Sequence, residues 1–351
     1  MTDALKQLGW CDFFAQRRPD APAKLRIGRV VAERRGEFQV TDGERRRKGW
    51  VTGRLRHGAK SRLDFPAVGD WVLFDTKGAI HALFERRGAF IRRVVGGRGG
   101  MQVVAANLDT VFVVTSLNQE LNVRRLERYC TATLDAGAQP VVVLNKADLH
   151  GAPDDVARMI REALPGIECV VTRALESDLD GLSPWLTLGA TCAFVGSSGV
   201  GKSTLVNALL GEERQAVKEV RQSDDKGRHT TTHRELFVLP GGLGLLIDTP
   251  GMRELQLWGD VGEDGSGLAE AFPDIEQKAA DCRFRDCSHA GEPGCAVEGA
   301  IASERVAAWH KLMAEAETHR RKEDPGSSRR FVHVTARLAG DEGADEPGGE
   351  A

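Results

Sequence analysis

The chain has 351 residues, too many for one ordinary single-core domain and enough for two or three. Hydrophobic residues make up 41% and charged residues 28%, the balance of a globular protein rather than a fibre or a disordered chain. No apolar run approaches the roughly 18 residues needed to cross a bilayer. The opening Met1-Thr-Asp-Ala-Leu-Lys also lacks the apolar stretch of a secretory signal, so a cytoplasmic protein that engages no membrane is expected.

The net charge of −3 is the sum of two unlike parts. Residues 25–100 hold 18 Lys and Arg against 8 Asp and Glu, a net of +10, so the remainder carries −13. Arg45-Arg-Arg-Lys48, Arg86-Arg87 and Arg92-Arg93 supply much of the excess. A basic module on an acidic body points to an anionic partner, nucleic acid first. A merely solvated basic surface is the alternative.

Residues 1–24, with Leu8, Trp10, Phe13 and Phe14, read as an amphipathic lead-in. Residues 25–96 then offer short strands at 27–32, 37–41, 49–53, 70–75 and 79–84, separated by turn pairs such as Asp42-Gly43 and Lys77-Gly78. Five short strands in about seventy residues predict an OB-type β-barrel. Trp50, Trp71, Phe74 and Phe84 either fill that barrel or stack on bases. Gly96-Gly97-Arg98-Gly99-Gly100 has the composition of a flexible linker.

From 101 to 258 the rhythm becomes strand and helix in alternation. Apolar strands are expected at 110–115, 141–144, 169–172, 193–195, 235–239 and 243–247. Between the first two, Val123, Leu126, Cys130 and Leu134 recur at helical spacing, and Pro153-Asp-Asp opens another helix. Continuous apolar strands between helices predict an α/β domain with a parallel, doubly covered sheet. Residues 259–323 carry clustered cysteines and a helix at 300–322. The tail 324–351, rich in Gly, Glu and Asp, reads as disordered.

Three motifs carry the chemistry of the α/β segment. Gly196-Ser197-Ser198-Gly199-Val200-Gly201-Lys202-Ser203-Thr204 lies between a strand and a helix, the context of a phosphate loop. Its glycines let backbone N–H groups wrap a β-phosphate, Lys202 reaches the β- and γ-phosphates, and Ser203 binds Mg²⁺. Asp248-Thr-Pro-Gly251 ends a strand, where Asp248 suits the Mg²⁺ hydration shell and the Gly251 N–H the γ-phosphate. Asn145-Lys146-Ala-Asp148 ends another, and its carboxylate suits the N1–H and amino donors of guanine, which adenine lacks. Together they predict GTP with Mg²⁺, and Asp148 disfavours an ATP-dependent kinase.

The motifs stand in an unusual order, with the Asn-Lys-x-Asp segment before the phosphate loop and Asp-Thr-Pro-Gly last. The spatial site is unchanged if the chain is circularly permuted, reopened just before the strand at 110–115. Farther on, Cys282, Cys287, His289 and Cys295 fall within fourteen positions. In a chain expected to be cytoplasmic, three thiols and an imidazole so spaced predict one tetrahedral Zn²⁺ rather than disulfides.

These features resemble the ribosome small-subunit-dependent GTPase A (RsgA) family: the permuted motif order, the loop Gly227-Arg-His-Thr-Thr-Thr-His233 and the Cys/His segment. The likeness runs from about residue 8 to 320. It implies an N-terminal OB barrel, a permuted GTPase domain and a helical zinc-binding domain. It also implies hydrolysis of GTP to GDP and phosphate, stimulated by the small ribosomal subunit during its late maturation. The partners implied are that subunit with its rRNA, and a monomer is expected. The nucleotide role carries over to Asn145, Lys146, Asp148 and residues 196–204, and the metal role to Cys282, Cys287, His289 and Cys295.

Two positions depart from the commoner GTPase pattern. Thr172-Arg173 stands where Ser-Ala is frequent, and Met252 stands where many GTPases orient water with a glutamine. Slow intrinsic hydrolysis is therefore expected. Ordering of the loop at 227–233 by the subunit would bring His229 or a neighbouring backbone group to the water, and Thr231 or Thr232 to Mg²⁺. An RNA chaperone that keeps GTP as a structural ligand is the alternative function.

Overall fold

A computed structural model describes residues 2–34, 36–93, 101–117, 121–174, 178–197, 199–211, 234–248 and 271–323. The chain forms two compact units, residues 1–271 and 272–351. Among the described residues no helix is long and apolar enough to cross a membrane.

The first unit begins with two short helices, α1 (Asp3–Gln7) and α2 (Asp12–Gln16), and a barrel of β1 (Arg26–Arg34), β2 (Glu37–Thr41), β3 (Arg46–Val51), β4 (Trp71–Phe74) and β5 (Ala79–Leu83). The strands are ordered β1-β2-β3-β5-β4, and a β1–β4 pairing closes the ring. Helix α3 (Gly53–Gly58) lies between β3 and β4, with Thr52 capping it through Leu55 N. Closure depends on a parallel β3–β5 contact, where Gly78 takes φ +107° and a Cβ would lie 2.1 Å from the Lys48 carbonyl. Asp75 sets the turn before it, Oδ1 accepting from the N–H groups of Lys77, Gly78 and Ala79.

Val30, Phe38, Val40, Val51, Val72, Phe74 and Ile80 fill the barrel. Trp71 is also buried, but beneath the lead-in: the Trp10 ring meets Trp71 at 4.8 Å and Phe84 at 5.1 Å, both edge-on. Of the four aromatics that could have stacked on bases, Trp50 alone stays exposed, at 46%.

Beyond the barrel, β6 (Ala89–Arg93) pairs with β7 (Met101–Ala106), so the strands flanking the glycine-rich stretch bind one another. That stretch itself, 96–100, lies outside the described residues. The α/β part follows: β8 (Thr110–Ser116), α4 (Val123–Asp135), β9 (Gln139–Asn145), α5 (Pro153–Ala163), β10 (Glu168–Val171), β11 (Thr191–Val195), α6 (Lys202–Leu210), β12 (Arg234–Val238) and β13 (Leu245–Asp248). Strands β10-β9-β8-β11-β13 run parallel, and β12 joins antiparallel. The first of these strands in the chain, β8, sits in the middle of the sheet, beside β11, the strand that leads into the 196–204 segment.

The sheet does not stop at β12. Barrel strand β1 pairs with it, Ala32 opposite Glu235 and Glu33 opposite Arg234, so barrel and α/β layer share one 11-stranded sheet. Arg29 locks the same junction from inside. It is fully buried and donates to the carbonyls of Leu8, Gly69 and Asn107 and to Thr191 Oγ1 at the start of β11. Burial pulls its guanidinium down to about 10, which leaves it protonated at neutral pH.

The second unit contains α7 (Pro273–Ala279) and α8 (Ser303–Glu323). They are joined by a forked ion pair, Arg305 Nε and Nη2 to Asp274 at 2.6 and 2.7 Å. Burial would raise the Asp274 carboxyl, but the guanidinium holds it below the usual range. Phe272, Ile275, Val297, Trp309 and Leu312 are buried apolar residues of this unit. The expected tail, 324–351, lies outside the described residues.

Candidate functional site

Parallel strands present their carboxyl ends along one edge, and ligands of open α/β sheets bind there. Here Asn145 ends β9, Val195 ends β11 and Asp248 ends β13, with β8 in register between β9 and β11. The three motifs read from the sequence therefore meet at one edge, although 51 and 46 positions separate Asn145, Gly196 and Lys202, Asp248 along the chain.

The phosphate loop turns on two glycines that no other residue could replace without displacement. Gly196 has φ +138° and a Cβ there would lie 2.1 Å from the Val114 carbonyl. Gly201 has φ +101° and a Cβ would lie 2.1 Å from Asn145 Nδ2. Helix α6 starts at Lys202, so its unsatisfied N–H groups face the loop, as anion binding requires. Lys202 is buried, and its Nζ donates to the carbonyls of Gly196 (2.7 Å) and Ser197 (2.5 Å). Ser203 is exposed in the first turn of α6, and Asp248 is 7% exposed.

Asn145 is the centre of the arrangement. Its Nδ2 donates to the Val200 carbonyl at 2.9 Å, while Oδ1 accepts from Thr172 Oγ1 and Ala174 N, both at 3.2 Å. One buried amide thus fastens the phosphate loop to the segment after β10. The threonine at 172 supplies the hydroxyl that a serine would, so the departure from Ser-Ala leaves this contact in place. Lys146, in left-handed backbone at φ +59°, donates to the Gly199 carbonyl at 2.8 Å. Asp148 follows on a short 3₁₀ turn with its carboxylate exposed, available to donors of a base.

One participant carries no sequence motif. Arg125, in the first turn of α4, donates from Nη1 to Ser197 Oγ of the phosphate loop. Thr172, noted in the sequence as a departure from Ser-Ala, acts through its contact with Asn145. Nothing but the fold reveals the Arg125 contact, since it joins segments far apart in the chain. Ser198, His229, Thr231 and Gly251 lie outside the described residues.

In the second unit, one ligand atom from each of Cys282, Cys287, His289 and Cys295 lies within 4.8 Å of the others. The Sγ atoms of Cys282 and Cys295 stand 3.6 and 3.5 Å from His289 Nδ1. Ligand atoms about 3.5–3.8 Å apart are what a tetrahedral metal with bonds of about 2.0–2.3 Å requires. Burial, with the neighbouring thiols Cys295 and Cys282, pushes the Cys287 thiol up to about 12. The residues fit a single metal ion.

Glu292, absent from the sequence reading, shapes the cluster. It accepts from Ser288 N at 2.9 Å and Ala290 N at 2.8 Å, on either side of His289, whose φ is +58°. The Ser288 hydroxyl and these two amides lower its carboxyl to about 2. Burial also raises the remaining buried cysteines, Cys169 to about 11, Cys192 to about 12 and Cys130 further, which keeps them as unreactive thiols.

The basic charge of the barrel divides into two groups. Arg86 pairs with Asp70 (2.7 Å), Arg87 with Asp109 (2.6 Å), Arg26 with Asp42 (3.2 Å), Arg46 with Glu235 (3.1 Å) and Lys48 with Glu37 (2.7 Å). Arg54, Arg56, Lys60 and Arg62, on α3 and the turn after it, are exposed and have no ion pair among the described residues. That short arm gathers four exposed basic residues in nine positions; Arg34, Arg45 and Lys77 are likewise exposed and without an ion pair among the described residues, but stand apart from one another.

Comparison with known proteins agrees with this geometry. The family model described as RsgA GTPase matches residues 83–258. A protein of Opitutus terrae named small ribosomal subunit biogenesis GTPase RsgA is 45% identical over 345 residues, 92% of each chain. One of the same name from Methanosarcina acetivorans is 44% identical over 290 residues, covering 80% of this chain and 76% of its own. The crystal structure of YjeQ from Thermotoga maritima superposes with a TM-score of 0.62 at 26% identity, over 84% of this chain and 99% of that one. YloQ, described as a circularly permuted GTPase, gives 0.60 at 24% identity over 86% and 98%, a likeness of fold. Matched by the family model over half its length and by close relatives over most of it, the chain belongs to the RsgA GTPase family and is a GTP hydrolase with a circularly permuted α/β domain, an OB-like barrel and a C-terminal Cys/His module.

Proposed function

We propose that this GTPase acts in biogenesis of the small ribosomal subunit, as its relatives' names state of them. It binds that subunit through rRNA and hydrolyses GTP to time its own release. The observation that carries the nucleotide reading is the Asn145 amide, which holds the guanine-reading segment and the phosphate loop in one hydrogen-bonded unit. In this reading residues 25–96 bind rRNA, 101–258 bind and cleave GTP, and 259–323 hold zinc. The protein works in the cytoplasm as a monomer.

The steps assigned to the chain's own residues follow from charge and position. Asp148 accepts from the guanine N1–H and amino groups. Lys202 leaves the Gly196 and Ser197 carbonyls for the more negative β- and γ-phosphate oxygens. Backbone N–H groups of 196–204 and the α6 N-terminus take the remaining phosphate charge. Ser203 and Thr231 would hold Mg²⁺, with Asp248 on its hydration shell and the Gly251 N–H toward the γ-phosphate. The ion, when bound, would supply positive charge against that of the phosphate oxygens. With Met252 in place of a glutamine, orientation of the attacking water falls to the loop at 227–233, His229 being the candidate side chain.

Cys282, Cys287, His289 and Cys295 would hold Zn²⁺, whose four bonds supply folding free energy to a module with a small core. The exposed arm Arg54, Arg56, Lys60 and Arg62 supports contact with rRNA phosphates, and exposed Trp50 supports stacking on a base. Co-sedimentation tests the cycle. The full chain should pellet with purified small subunits in a non-hydrolysable GTP analogue and remain in the supernatant in GDP. Equal pelleting in both would contradict release timed by hydrolysis.

A further inference from the structure

Two cations converge on the residue that opens the phosphate loop. The Lys202 ammonium donates to the Ser197 carbonyl, and the Arg125 guanidinium donates to the Ser197 hydroxyl. Arg125 rides on a well-anchored helix. Asn122 caps α4 by accepting from Arg125 N at 3.1 Å, and Leu126, Tyr129 and Cys130 are buried one turn on. Since β8 and β11 are parallel neighbours, the segment after β8 that leads into α4 and the loop after β11 leave the same edge of the sheet.

The two contacts come from different sides. Lys202, inside the loop, binds the loop's own carbonyls, whereas the Arg125 guanidinium reaches the Ser197 hydroxyl from α4. An ammonium drawn to phosphate would give up those carbonyls, and the contact from α4 does not depend on them. A loop that must offer several N–H groups to one phosphate gains affinity from being held in that shape beforehand.

We propose that Arg125 is a positioning residue for the nucleotide: through Ser197 Oγ it holds the entry of the phosphate loop in its phosphate-accepting shape. The proposal rests on the reading of residues 196–204 as the GTP phosphate site. Arg125 acts on the loop and touches no reacting atom, so its loss weakens binding of GDP and GTP alike and spares the chemical step.

The test is steady-state GTP turnover of the full chain, together with direct titration of fluorescent GDP. Arg125→Ala should raise the KM for GTP and the Kd for GDP about tenfold, with kcat within about twofold. Arg125→Lys, which keeps the charge and a donor, should recover part of the loss. Ser197→Ala should weaken binding similarly, and the double variant should be no worse than the weaker-binding single. Additive losses, a fall in kcat at constant KM, or unchanged binding in Arg125→Ala would each overturn the proposal. Arg125→Gln, with a thermal unfolding curve for every variant, separates loss of binding from loss of fold. Lys202→Ala, run in parallel, separates the two readings. If wild type binds no better than Lys202→Ala, the phosphate site itself fails. If only Lys202→Ala is impaired, Arg125 alone is refuted.

Discussion

Glu33 of the barrel and Arg234 of the α/β sheet face each other across paired strands, and their charged groups meet at 3.1 Å with Arg234 only 5% exposed. Arg234 also donates to the Val103 carbonyl of β7 at 3.2 Å and approaches Gln102 Oε1 at 3.4 Å. The barrel is therefore bonded into the sheet that carries the nucleotide motifs. Glu33→Gln should leave a buried guanidinium short of its counter-charge and lower stability by about 2 kcal/mol. Thermal or urea unfolding reads this directly, and an unchanged midpoint would show that the junction does not depend on the pair.

Gly201→Ala should damage the site more than the loss of any exposed side chain. The new methyl would collide with Asn145 Nδ2, in a backbone conformation that L-residues avoid. Strain of about 1–3 kcal/mol predicts guanine-nucleotide affinity lower by about 5–150-fold. Nucleotide titration checks it, with Gly199→Ala as the comparison: Gly199 shares the left-handed backbone, at φ +82°, but a Cβ there meets nothing within 4 Å, so the difference isolates the collision with Asn145.

Asp148→Asn should change which base is read rather than abolish binding. An amide can donate where the carboxylate could only accept, so the variant disfavours guanine and suits the 2-carbonyl of xanthine. GTP turnover should fall about a hundredfold or more and XTP turnover should rise. Equal losses for both nucleotides would remove Asp148 from base recognition.

Removal of metal should unfold the Cys/His unit while leaving the α/β sheet intact. Elemental analysis of the purified chain should give one zinc per molecule, falling to near zero in Cys282→Ser. Acidification opposes binding as well, because protons compete for the three thiolates, so zinc release should increase as pH falls. A chain that keeps its near-ultraviolet signal around Trp309 after chelation would contradict a structural metal.

Charge reversal on the arm Arg54, Arg56, Lys60 and Arg62 should weaken subunit binding more than reversal of Arg45–Arg47. Arg46 is already paired with Glu235 and Arg47 is half-buried, which leaves one exposed, unpaired charge there, Arg45, against four on the arm. Each lost phosphate contact should lower the salt dependence of binding by about one. Binding unaffected at several salt concentrations would move the contact elsewhere on the protein.

Much of this was legible in the sequence because it is local. The phosphate loop, the Asn-Lys-x-Asp turn and the metal cluster each place their chemistry within a few residues, and periodicity alone separated barrel from α/β rhythm. What escaped is long-range. The β1–β12 pairing joins strands some two hundred positions apart and leaves no mark on either, because both read as ordinary short strands. Arg29 counts as one more basic residue in composition, yet it is fully buried and bonds four separate segments. Asn145 was legible as the first residue of the Asn-Lys-x-Asp turn, but its hold on Val200, Thr172 and Ala174 required the fold.

The most direct test is GTP turnover by the full chain with and without purified small ribosomal subunits. Slow hydrolysis alone and stimulation of a hundredfold or more by subunits is the predicted result, since a methionine at 252 offers no group to orient water and the proposed function assigns that role to the complex with the subunit. Turnover that is unchanged by subunits would contradict the account and favour a protein that keeps GTP as a structural ligand.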